Sequence, residues 1–340
     1  MPRIALDAMG GDHAPAATIA GALLALGDLP GDVTVQLVGR EDVILAELAK
    51  QGGVPAAHAT RIEIVHAPDV IEMTDKPSVA IRSKRESSMV VGLKLQADGK
   101  SDGFVSAGNT GAQMAASTVV LRLHEGLTRP AISTLFPTDR GQPLVVLDSG
   151  ANVDCSPQEL LQFGRLGAVY AEDILGRPNP SVGLLSVGEE PEKGSLSVKE
   201  AHLLLAKSGL NFIGNVEGRD LPHGRCAHGD LDVVVCDGFT GNVVLKLYES
   251  VAPMIFGLLM KAGVAKDGMQ SVLAAFDYAQ YGGAPLLGVK GVSIICHGKS
   301  SPLAIKNAIR VAALAVEHQM SAHIGRSLQA TPAEPAEGVT

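Results

Sequence analysis

The chain contains no tryptophan, and aromatic residues make up only 3% of its 340 positions. Single-stranded nucleic acid is commonly gripped by stacking bases on exposed rings, and here there is little to stack on. Positive charge is also short: 28 Lys and Arg stand against 36 Asp and Glu, a formal charge of −8. Neutralising a phosphate backbone needs a basic face, so no nucleic-acid partner is expected. Cysteine is sparse. Cys155, Cys226, Cys236 and Cys296 form no C-x-x-C pair, which reads as reduced thiols and excludes a disulfide frame or a zinc site from the expectation. No run of about 20 uninterrupted apolar residues is present, so no membrane span is expected. The opening MPRIALDAMGG enters a strand pattern directly, without a targeting segment.

Apolar residues, by contrast, are plentiful at 46%, with 19% charged. That balance suits strands buried on both faces of a parallel sheet. The stretch around which the rest is organised is LDVVVCDGFTGNVVLKLYES, residues 231 to 250. A short β-branched run ends at Cys236; Asp237, Gly238, Thr240, Gly241 and Asn242 break it, and helical spacing resumes at Val244. Such a unit places its loop at the carboxyl edge of an open α/β sheet, where amides at a helix start bind anions.

The same grammar recurs along the chain. Ile4 to Leu6 leads into Asp7 and AMGGDHAP, where Gly10 and Gly11 permit a tight turn and Asp12 either caps the next helix or holds a substrate group. Phe104 and Val105 lead into Ser106, Gly108, Asn109, Thr110 and Gly111, a small-residue loop opening a helix. Leu144 to Leu147 leads into Asp148, Asn152 and Asp154. That cluster suggests either a divalent metal or polar capping of the following helix, and capping is preferred. Val182 to Val187 leads into GEEPEKGS, where Lys193 is either a salt-bridged surface residue or a point charge for phosphate. A strand before His297 completes the series. Strands alternating with helices predict an α/β fold with a mainly parallel, doubly wound sheet. The basic run Lys76, Arg82, Lys84 and Arg85 reads as a solvated helix face or an acidic-partner contact. Residues 251 to 269 read as a buried helix or as an interfacial one, and the Pro/Ala-rich tail from about Gln329 as disordered.

Taken in order, IALDAMGGDHAP, DKPSVAIRSKRESSM, SAGNTGA, LDSGANVDC, LLSVGEEPEKG, DVVVCDGFTGNVVLK and LLGVKGVSIICHGKS resemble the bacterial phosphate acyltransferase family of phospholipid synthesis, PlsX. The blocks span residues 4 to about 316. The resemblance implies a three-layer α/β/α fold similar to phosphotransacetylases and isopropylmalate dehydrogenases, in one catalytic domain over 1–328 with an apolar helical tip near 251–269 and a disordered tail at 329–340. It implies transfer of a fatty acyl group from acyl carrier protein to inorganic phosphate, giving acyl-phosphate for a membrane glycerol-3-phosphate acyltransferase. It further implies a homodimer, cytoplasmic and resting peripherally on the inner face of the membrane through Met254, Ile255, Phe256, Leu258 and Leu259. One departure is Ser195, where the family often carries Asn.

Phosphorolysis of a thioester needs a dianion site, donors for the developing oxyanion and a slot for the alkyl chain; it needs no metal and no redox cofactor, so none is expected. On this reading Lys193 and the amides of Ser106 to Gly111 bind phosphate. Asn242 and Thr240 donate to the thioester oxygen, and His297 donates to phosphate or protonates the thiolate. Asp7, Asp12 and Asp237 orient amides, and Arg82, Lys84 and Arg85 meet the acidic carrier protein. A phosphotransacetylase-like enzyme using coenzyme A, a decarboxylating NAD-dependent dehydrogenase and a non-catalytic membrane scaffold are the alternative readings.

Overall fold

The computed structural model describes residues 1–263 and 280–329. Two compact units can be distinguished, Met1–His124 with Glu249–Ser321, and Glu125–Tyr248 with Ala322–Thr340.

In the first unit, strands β1 (Arg3–Asp7), β2 (Thr34–Gly39), β3 (Ile62–His66), β4 (Gly103–Ser106), β13 (Ala284–Leu287) and β14 (Ser293–Ile295) lie in the order β3-β2-β1-β4-β14-β13. The first five are parallel and β13 runs antiparallel to β14. Ile4, Leu6, Val35, Leu37, Phe104 and Ile294 are fully buried, as strands covered on both faces require. Among the covering helices, α1 (Ala16–Asp28) lies against α9 (Pro302–Glu317). Gly21 allows the approach: a β-carbon there would come within 2.5 Å of the Ile305 Cβ and 2.9 Å of the Pro302 carbonyl oxygen. The central consequence is that the carboxyl ends of β1, β4 and β14, three neighbouring parallel strands, meet at one edge.

The second unit repeats the logic. Strands β6 (Thr134–Phe136), β7 (Leu144–Leu147), β8 (Val182–Leu185), β9 (Phe212–Val216) and β12 (Val233–Val235) lie in the order β6-β7-β12-β8-β9, parallel except for β6. Its core joins Phe136, Leu144, Val146, Val216, Leu221, Leu231, Val234 and Cys236, with Val244, Leu245 and Tyr248 of helix α8 (Gly238–Lys261) laid against it. The Tyr248 ring meets Phe136 edge-on at 4.7 Å. Helix α6 (Pro157–Asp173) opens with a capping box of Ser156 and Glu159.

Several elements depart from the sequence pattern. Helical structure begins at Gly238, not Val244, so Thr240 and Asn242 belong to the first turns of α8 and not to a loop. Asp237 is the reason: its carboxylate accepts from the Thr240 amide and hydroxyl, both at 2.8 Å, and starts the helix early. The segment before His297 holds two antiparallel strands where periodicity indicated one. Neither Asp12 nor Asp148 caps a helix: α1 starts after Pro15 without a side-chain cap, and α6 is capped by Ser156. Past Pro253, the buried reading fails for Met254, Ile255, Leu258 and Leu259, which are exposed. Taken by length and composition alone, α8 is long and apolar enough to cross a bilayer, although Lys246, Glu249 and Lys261 interrupt it. Residues 264–269 of the expected tip and 330–340 of the expected tail lie outside the described residues.

Gly21→Ala is expected to force α1 away from α9 and to cost about 1 to 3 kcal/mol, as overpacking typically does. Thermal melting checks this; an unchanged midpoint would show that the two helices are not in contact at Gly21.

Candidate active site

At the carboxyl edge of the second unit, the Asp148 carboxylate sits at the end of β7 and is fully buried. Five N–H groups donate to it: the amides of Ile132, Gly150, Ala151 and Asn152, and the Asn152 side chain. With its lone pairs so occupied it is a structural anion, not a metal ligand, and no group of residues suited to a metal ion occurs among the described residues. Neighbouring β12 is followed by Cys236, whose amide donates to the Leu147 carbonyl at 2.6 Å. Helix α8 then starts directly over Asp148. A β-carbon on Gly241 would lie 1.9 Å from the Asp148 carbonyl oxygen, and one on Gly238 would lie 2.5 Å from that of Asn152. Only glycine permits this approach.

That approach delivers Asn242, which is exposed with its side chain against Gly150. Its amide makes no hydrogen bond among the described residues, whereas the Thr240 hydroxyl proton is committed to Asp237. Of the two donors expected at this edge, Asn242 is therefore the available one. On the other side of β12, strand β8 runs into the GEEPEKGS turn. Lys193 is exposed, its stem lies over Gly188, and no carboxylate pairs with it among the described residues. The salt-bridged alternative for Lys193 is thus not what is seen. Gly194, at φ +99, lets the turn enter helix α7 (Leu196–Ala206), whose amino end is capped by Ser195 accepting from the Val198 amide. Serine caps as well as asparagine, so the departure at this position leaves the local geometry intact. Sequence reasoning missed Ser186 at the end of β8. Its hydroxyl is buried without a hydrogen-bond partner, under the turn that carries Lys193; a single serine closing an apolar run was the only signal.

At the edge of the first unit, Asp7 ends β1 and is buried. Ser106, ending β4, donates to it through Oγ at 2.7 Å and accepts from the Gly108 amide at 3.0 Å. Gly10 closes over this pair: a β-carbon there would meet the Asp7 carboxylate at 2.5 Å. Gly11, at φ +112, turns the chain so that the Asp12 amide reaches the Gly298 carbonyl at 2.7 Å, and Asp12 itself is exposed. Asn109 caps helix α5 (Thr110–Val120) through the Ala112 amide while its side-chain amide donates to the Met73 and Asp75 carbonyls. It is a structural bracket that leaves the first-turn amides of Thr110 and Gly111 directed outward. His297 follows β14, beside β4. Its Nδ1 accepts from the Lys299 amide at 3.1 Å, so the proton of the neutral ring sits on Nε2. Asp7, Gly10, Gly11, Asp12, the 106–111 loop and His297 are thus brought to one edge in the first unit, while Lys193, Asp237, Thr240 and Asn242 share the edge in the second.

The basic run is not uniform. Lys84 donates to Asp75 at 2.5 Å and to the Val70 carbonyl, holding the loop ahead of helix α3 (Pro77–Ser83). Arg82 and Arg85 remain exposed. Of the apolar tip, Met254, Ile255, Leu258 and Leu259 are exposed and Phe256 is half-buried.

Residues 2–323 match the family model described as "Fatty acid synthesis protein". Three curated relatives, each called "Phosphate acyltransferase", come from Pelotomaculum thermopropionicum, Desulfitobacterium hafniense and Desulforamulus reducens. They are 46%, 49% and 48% identical, covering 99%, 96% and 97% of this chain and 98%, 97% and 98% of their own. The chain belongs to the phosphate acyltransferase family. It is accordingly an acyltransferase enzyme. Solved structures of similar fold include a phosphotransacetylase from Streptococcus pyogenes (TM-score 0.64, 15% identical, covering 93% of this chain and 94% of that one) and the EutD phosphotransacetylase from Staphylococcus aureus (0.62, 17%, 93% and 94%).

For a phosphate acyltransferase the cysteines are of interest as possible acyl carriers, and their surroundings argue against that. Burial pushes the Cys155 and Cys296 thiols up to about 12, and the Cys236 thiol well above its ordinary value with Asp237 and Asp148 adding to the effect. A thiol is nucleophilic only as thiolate, so none of the three is activated.

Burial also holds the Asp7 carboxyl above the usual carboxylate range, against the opposing donors Ser88, Ser106, Met9 and Gly10. The folded chain therefore binds this proton more tightly than the unfolded one. The resulting support for the fold is complete below the ordinary Asp value of about 3.9 and is lost as pH rises through the raised folded value. Asp7→Asn is expected to be less stable than wild type at acid pH and to close the gap towards neutrality. Melting both proteins across that range checks it, and a gap that widens with rising pH contradicts it.

Proposed function

We propose that this enzyme transfers a long-chain acyl group from acyl carrier protein to inorganic phosphate, and that the acyl-phosphate feeds phospholipid synthesis. The observation that carries the reading is the ammonium of Lys193 in the turn between β8 and α7, beside a strand whose helix presents the amide of Asn242, both without a partner among the described residues. A free point charge next to a free neutral donor suits a phosphate placed against a thioester carbonyl. A phosphate oxygen attacks the carbonyl carbon, forming a C–O bond; the Asn242 amide steadies the oxygen as it becomes negative; the C–S bond then breaks and the thiolate leaves with the electron pair. Inorganic phosphate is already a competent nucleophile, so positioning supplies most of the rate. The raised thiols fit a direct attack without a covalent enzyme intermediate. In the first unit, the amides of Thr110 and Gly111 form a further set of donors for an anion.

The choice of acyl carrier protein as donor rests on the family resemblance and on Arg82 and Arg85, which offer exposed positive charge to an acidic partner. Coenzyme A is the competing donor, favoured by the phosphotransacetylase-like fold. The apolar end of α8 suits a peripheral, cytoplasmic enzyme that touches the inner face of the membrane and hands its product to a glycerol-3-phosphate acyltransferase. Assembly as a homodimer is part of the same reading.

Incubating the purified protein with palmitoyl acyl carrier protein should release the free carrier only when phosphate is present, and faster than palmitoyl coenzyme A is consumed. Asn242→Ala should lower kcat by about 10²- to 10³-fold, as loss of an oxyanion donor does. Lys193→Ala should raise the KM for phosphate roughly tenfold or more, the worth of one charge-assisted hydrogen bond. Wild-type turnover in both variants would remove these residues from the reaction, and preference for coenzyme A would replace the donor. Arg82→Glu with Arg85→Glu should raise the KM for the carrier protein at low salt, and Ile255→Asp with Leu258→Asp should release the enzyme from anionic vesicles in flotation; no change in either assay refutes the corresponding contact.

A further inference from the structure

Helix α8 leaves the candidate site with an exposed apolar face. Phe239, Val243 and Leu247 are 63%, 52% and 59% exposed. Successive helical residues turn by about 100°, so these three fall within roughly 80° of arc and run about 12 Å along the axis. Asn242 lies on the flank of this face, about 60° from Phe239 by the same geometry. The opposite side of the helix, with Val244, Leu245 and Tyr248, is held by the core. Two further exposed apolar side chains stand on the strand-end loops at the start of the face. Val153 is 65% exposed and follows Asn152, whose carbonyl accepts from the Gly238 amide at 2.8 Å; Val187 is 82% exposed and lies two residues beyond the end of β8. No Asp, Glu, Lys or Arg stands on α8 before Lys246.

We infer that this face is the track for the alkyl chain of the acyl donor, with Phe239 at the carbonyl end and Val243 and Leu247 setting how much chain length is rewarded. The inference rests on the phosphate acyltransferase reading given above and adds the residues that fix its substrate class. The occupant follows from continuity: a thioester carbonyl at Asn242 projects its chain from the flank of the helix onto Phe239 and Val243. An alkyl chain is also the one part of the substrate with no polar group to satisfy. A row of side chains along a helix grades affinity by the number of methylenes covered, about 0.8 kcal/mol for each one fully buried, so long chains gain and short chains do not.

Val243→Asp and Leu247→Asp test this with palmitoyl and butanoyl thioesters of acyl carrier protein and saturating phosphate. The expected result is a fall of about tenfold or more in kcat/KM for the palmitoyl donor and less than about twofold for the butanoyl donor, the scale on which apolar pockets discriminate chain length. Leu247→Ser repeats the measurement should either Asp variant melt below wild type. An equal fall for both donors overturns the inference. So does an unchanged palmitoyl-to-butanoyl ratio, whether or not it comes with altered sedimentation or vesicle binding, which would assign the face to a second copy or to lipid. Failure of the underlying reading is separate and visible in the wild type, as absence of turnover of either donor.

Discussion

A buried carboxylate holds the second unit's working edge in place. Asp148 collects five N–H donors from the end of β7, from Ile132 and from Asn152, and a buried charge with that many donors is tolerated where an unpaired one would not be. The loop it organises forms the floor on which α8 begins, with Gly238 and Gly241 in van der Waals contact with backbone carbonyls. Everything attributed to Asn242 depends on that seating. Displacing the helix start by the width of a methyl group would carry the amide out of register with a substrate held nearby, and catalytic geometry tolerates little displacement.

The two sheet edges solve one physical problem in different ways. Each collects the carboxyl ends of adjacent parallel strands, where helix amino ends and turn amides give a positive field. In the first unit the buried acid, Asp7, is bound by a serine hydroxyl and covered by Gly10, and the remaining donors are backbone amides. In the second the field is supplemented by an exposed point charge, Lys193, and by a neutral amide. Lys193 has no carboxylate partner among the described residues, while Lys84 and the arginines Arg140 and Arg177 are spent on carboxylates within the fold.

Much of the edge composition was legible because glycine and small polar residues interrupt β-branched runs at regular intervals, and only a parallel α/β sheet uses that punctuation so often. Leu144–Leu147 could be read to the residue. The errors have identifiable causes. TGN after Asp237 looks like a loop because glycine and asparagine break helices in isolation; the Asp237 cap and the contact with Asp148 outweigh that propensity. Thr240 resembled a donor until its hydroxyl proved to be bound to Asp237. Residues 254 to 260 are apolar on most sides and so resembled a core helix, and periodicity carries no information on whether anything lies opposite.

The sequence by itself determined the fold class, the family and the set of strand-end loops from which chemistry can come, since burial periodicity and glycine placement are local properties of the chain. Which of those polar residues stand free was decided only by the tertiary structure. Asn109 and Lys84 are consumed by partners brought from elsewhere in their unit and Thr240 by Asp237 at the start of its own helix, while Lys193 and Asn242 are left open among the described residues, because a contact between distant residues exists only once the chain has folded them side by side.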